Sequence, residues 1–113
     1  TGGVGRVISQ DRLEKAMRFL AETDEPLAEA KGEVMRLENL IKRVQYRLFL
    51  SAQGSVEARK AEAGKSEETA RLEEELVSAV VKYEGLRAKR DTEATVIDVW
   101  RSLNSNRRQG VMV

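Results

Sequence analysis

The stretch LEKAMRFLAETDEPLAEAKGEVMRLENLIKRVQYRLFLS, residues 13–51, decides the fold. Leu13, Leu20, Leu27, Val34, Ile41 and Leu48 recur every seven residues. Ala16, Thr23, Ala30, Leu37, Val44 and Ser51 fall between them at the three-four spacing. This is the 3.5-residue period of a coiled-coil seam, kept in one register over six heptads. A seam of that length exposes a continuous apolar stripe until another helix covers it. The seam's alternation of large and small members, Leu13 over Ala16 and Leu27 over Ala30, suits close antiparallel packing with a second arm of the same chain.

Residues outward from this stretch define the ends of the arm. Ser9 is placed to cap the helix start. Pro26 fits a first helical turn, with Thr23 or Asp24 as its cap. The first arm is therefore either two helices broken near Pro26 or one kinked helix, and the heptad register, which passes through Pro26 without a slip, favours the kinked or barely broken rod. At the far end, Gly54 suits a left-handed C-terminal position, and Ser55 suits the next N-cap with Glu57 in its first turn. A turn at about 51–55 between two long helices implies an antiparallel hairpin. The second helix is expected to run unbroken from about 56 to 103, with a seam of Ala58, Glu62, Lys65, Thr69, Leu72, Leu76, Ala79, Tyr83, Leu86, Ile97 and Trp100.

The predicted organisation is a flexible arm over 1–8, a single helical-hairpin domain over 9–104 and a basic tail over 105–113. Folding the arms about the turn brings Arg36, Lys42, Arg43 and Arg47 level with Glu57, Glu62, Glu67 and Glu68. It brings Glu22, Asp24 and Glu25 level with Lys82, and Leu13 level with about Glu93. The segment from Ala94 onward, with Val96, Ile97, Val99, Trp100 and Leu103, then overhangs the first arm, unless the N-terminal arm reaches back to it.

Composition narrows the chemistry. Charged residues make up 35% of the 113 and aromatics 4%, so the chain resembles a long helix more than a filled globular core. It has no Cys and no His, which removes disulfides, thiol chemistry, the usual zinc sites and every imidazole-dependent triad. The Gly2-Gly3-Val4-Gly5 stretch lacks the Lys-Ser/Thr ending of a phosphate loop and reads as arm or tag. Glu73, Glu74 and Glu75, with Glu67 and Glu68, read as a solvated acidic face, because consecutive residues point in different directions around a helix. No catalytic residue, cofactor or metal is expected. No apolar run approaches the roughly 20 residues of a membrane span, so no membrane partner is expected either.

Apolar residues remain outside the seams: Met17, Phe19, Met35, Leu40, Tyr46, Phe49 and Leu50 in the first arm, Val77 and Val81 in the second. A lone hairpin needs only one stripe, so these form a second surface to bury. The expected partner surface is Tyr46, Phe49, Leu50, Val77, Val81, Ile97 and Trp100, with self-association into an oligomeric bundle as the main use and another protein as the alternative occupant. Arg101, Arg107 and Arg108 could meet phosphates, with Lys82, Arg87, Lys89 and Arg90 extending the patch and Trp100 stacking on a base.

The segment YEGLRAKRDTEATVIDVWRSLNSNRRQG, residues 83–110, resembles the C-terminal part of small helical proteins encoded by tailed phages and prophages. That resemblance rests on VWRSLNSNRR and implies a phage or prophage origin, a place in the bacterial host cytoplasm or the virion, and an accessory or structural role. The sequence expectation is thus an all-α, non-enzymatic assembly or adaptor protein. The alternative is a nucleic-acid-binding accessory protein of phage recombination or replication.

Overall fold

Four helices follow one another along the chain: α1 (Gln10–Glu22), α2 (Asp24–Ser51), α3 (Val56–Lys65) and α4 (Glu67–Arg108). The computed structural model describes residues 8–108, of which 92% are helical, and among the described residues there is no strand. The chain is all-α. Its contacts divide into two units: one takes residues up to Leu27 and from Gly85 onward, the other is Ala28–Glu84. Helices α2 and α4 contribute to both.

The first unit is built on α1. Ser9 caps it, its hydroxyl accepting from the Arg12 backbone N–H at 3.0 Å, and Asp11 adds a favourable charge to the first turn. Leu13 and Ala16 are buried, and Leu20, Thr23 and Leu27 are half-buried, as the seven-residue repeat requires. The helix is interrupted at one residue. Thr23 leaves helical geometry at φ −107°, ψ 6°, and its hydroxyl donates to the Phe19 carbonyl at 2.7 Å. Of the two readings of the first arm, the break is the one observed. It lies three residues before Pro26, which falls in the first turn of α2, where its missing N–H costs no helical hydrogen bond.

The second unit holds the larger core. Leu37 and Val44 of α2 pack with Leu72 of α4, and Leu40, Ile41, Leu48, Leu76 and Ala79 close around them. The seam thus faces α4, while Ser51, its last member, is exposed. Leu40 belongs to this core although the heptad count places it outside the stripe, because the buried face is wider than two positions per heptad. At the turn Gly54 takes φ 108°, a region that side chains with a Cβ rarely adopt. Ser55 then caps α3, its hydroxyl accepting from the Ala58 N–H at 3.1 Å.

The expected unbroken second helix is not observed. Ser66 is extended at φ −65°, ψ 149° and separates α3 from α4. Its hydroxyl accepts from the Thr69 N–H at 3.0 Å and donates to Thr69 Oγ1 at 2.7 Å. Thr69 Oγ1 in turn donates to the Ala63 carbonyl at 3.0 Å, so this fully buried hydroxyl is satisfied. The break shifts the phase of the seam. Ala63 is buried in α3, whereas Ala58, Glu62 and Lys65 are exposed, and the seam is as expected only from Thr69 onward. The helix end also differs from the expectation: α4 continues past Asn104, Ser105 and Asn106 to Arg108.

Candidate interaction surface

Polar contacts fix the pairing within each unit. In the first, the Arg12 fork donates to both oxygens of Glu93, at 2.6 and 2.8 Å. Such a bidentate pair is directional as well as charged. Glu93 is the more enclosed partner, and the hydrogen bonds from Arg12 hold its carboxyl below the usual range against the opposing effect of desolvation. Arg90 reaches the α1 end, donating to the Leu20 carbonyl at 2.8 Å, Thr23 Oγ1 at 2.6 Å and Asp24 at 2.8 Å. It thereby gives a short hydrogen bond to a carbonyl that otherwise accepts only long ones from Thr23, at 3.4 and 3.5 Å.

In the second unit Arg47 donates to Glu68 at 2.7 Å, within the set expected from the arm alignment. Arg36 pairs with Glu33 one turn away on its own helix, and its hydrogen bonds lower the Glu33 pKa. Asp24 meets Arg90 and not Lys82, which acts instead on Glu33 through its charge. Arg47 of α2 pairs with Glu68 in the first turn of α4, beyond Glu57 and Glu62 of α3.

The expected interface residues fall into two groups. Tyr46 is 65% exposed, Leu50 60%, Val77 63% and Val81 66%, and Met35 joins them at 53%. All lie in the second unit. Phe49 is half-buried, with the Arg59 guanidinium 5.8 Å from its ring centre, a cation–π distance. Beside it a cleft of about 450 Å³ is lined by Lys42, Tyr46, Phe49, Lys60 and Ala63.

Ile97 and Trp100 belong to the first unit and are half-buried there. With Leu13, Met17 and Arg101 they line a cavity of about 250 Å³. The overhang expected from Ala94 onward is therefore not observed at Trp100. Helical side chains lean toward their own N-terminus, which carries Trp100 in the direction of Leu13. Val99, on the other side, is 43% exposed.

The suggested phosphate-contacting residues all lie in α4. Arg90 is taken up by the α1 end, and Arg101 is exposed with Asp98 at 3.8 Å. Arg107 and Arg108 lie in α4, but their side chains are outside the described residues. Among the described residues, no group of three Asp, Glu, His or Cys is placed to hold a metal ion, and no helix is long and apolar enough to cross a membrane. Sequence reasoning missed Lys42, Arg43, Glu73 and Glu74 as members of the surface, although their position beside exposed apolar residues is readable from helical spacing. No protein-family model matches this chain, and no curated protein and no solved structure matches it.

Proposed function

We propose that this chain is a non-enzymatic helical assembly or adaptor module. Its arms fold back as an antiparallel hairpin, and copies pack into a bundle through the apolar side chains left outside. The observation that carries this reading is the exposure of Met35, Tyr46, Leu50, Val77 and Val81 on helices whose inner faces are already filled. Exposed apolar strips of this kind mark interaction sites in soluble proteins. The ion pairs Arg47–Glu68 and Arg12–Glu93 support the hairpin, since each joins an early helix to α4. A phage or prophage origin is supported by the resemblance of residues 83–110, and it would place the module in the bacterial host or the virion.

Light scattering on the full chain tests the reading. A mass of several chains at micromolar concentration is expected, falling toward the 12.7 kDa of one chain in the Val77→Asp, Val81→Asp variant. A wild-type chain that remains at one-chain mass would remove the proposal.

A further inference from the structure

Within the second unit, α2 and α4 carry unlike outer strips. Each helical residue turns the direction by about 100°. Leu37, Ile41, Val44 and Leu48 mark the inner side of α2, so Met35, Tyr46 and Leu50 fall on the far side. Thr69, Leu72, Leu76 and Ala79 mark the inner side of α4, so Ala70, Val77 and Val81 fall on its far side. The two strips therefore face away from each other.

The strips are complementary in size, spacing and charge. The α2 strip is made of large side chains and is flanked by Lys42 and Arg43; residues 33–51 also hold Arg36 and Arg47, against Glu33 and Glu38. The α4 strip is made of small side chains and is flanked by Glu73 and Glu74; residues 67–84 hold Glu67, Glu68, Glu75 and Glu84 as well, against Arg71 and Lys82. Met35 to Tyr46 and Ala70 to Val81 are both eleven-residue steps, three turns and about 16 Å along a helix. Among the described residues, none of Lys42, Arg43, Glu73 and Glu74 takes part in an ion pair.

We propose that a second copy of this chain occupies each strip, with the basic, large-residue strip of α2 docked on the acidic, small-residue strip of α4 in the next copy. Pairing like strips would set Lys42 and Arg43, or Glu73 and Glu74, against their own kind, which is repulsive. Because the strips are on opposite sides, each copy holds two neighbours. The contact is heterologous and builds a ring or an open row, where a two-fold dimer would close on itself. This mode rests on the self-association proposed above.

Sedimentation velocity on Tyr46→Asp, Val81→Asp and their equimolar mixture tests it. Tyr46→Asp keeps only the α4 strip and Val81→Asp only the α2 strip. The expected result is wild type larger than two chains, each variant alone at 12.7 kDa, and the mixture at twice that mass and no larger. If either variant alone still dimerises, like strips pair; the heterologous mode falls while self-association stands. If wild type is one chain, both fall. Should a variant lose its helical circular dichroism, Lys42→Glu, Arg43→Glu and Glu73→Lys, Glu74→Lys replace it. Each of these double variants should be one chain alone, and mixing should restore the wild-type size; absence of restoration overturns the mode.

Discussion

Glu93 is a residue through which acid should weaken the first unit. Its pKa is lowered in the folded chain, chiefly by the Arg12 hydrogen bonds. The stabilisation is therefore complete above the ordinary carboxylate range and is lost as pH falls through the folded value beneath it. Glu93→Gln should lower the urea midpoint at neutral pH, and its gap from wild type should close on acidification through that window. A gap that stays constant in acid would show that the contribution is not ionic. Glu33→Gln should have the smaller effect, because both members of the Glu33–Arg36 pair are largely exposed and screened. Arg90→Ala strips the hydrogen bonds to Leu20 and Thr23, and a loss of about 1–3 kcal/mol in chemical denaturation is expected. Neither Arg12 nor Arg90 stood out in the sequence by its spacing. Aligning the arms puts Glu93 level with Leu13, next to Arg12, whereas the Arg90 contacts depend on the break at Thr23, which helical periodicity does not encode.

At the scale of the element, the caps decide where each helix begins and ends. Ser9, Ser55 and Gly54 were legible because each combines a local backbone requirement with a residue type that meets it. Ser66 carries the same signal, a serine followed by Glu67 and Glu68, but the three-four spacing runs across it through Glu62, Lys65 and Thr69, so α3 and α4 read as one helix. Ser66→Ala should cost about 0.5–2 kcal/mol as a lost cap. Gly54→Ala should cost about 1–3 kcal/mol, because a Cβ is held at positive φ. Leu72→Ala opens the core between α2 and α4 and should cost about 2–5 kcal/mol. Urea melts followed by helical circular dichroism measure all three, and an order other than Leu72 largest would locate the core elsewhere.

At the scale of the whole molecule, the seven-residue repeat of residues 13–51 specified the buried face but not what lies outside it. The seam was legible because burial repeats with the helix period, and Leu13, Ala16, Ala30, Leu37 and Val44 are buried accordingly. The outer strips were legible only as leftover apolar residues. Tyr46 and Val81 stay exposed, whereas Ile97 and Trp100 are partly covered within their own unit, a distinction that needs the position of α1. The proposed function depends on the exposed set being covered by other copies. Hydroxyl-radical footprinting of Met35 and Tyr46 across a dilution series tests this most directly. Self-association through the outer faces predicts that both side chains, more than half exposed in the single chain, are protected at high concentration and become reactive on dilution. Reactivity that is full and independent of concentration would contradict it.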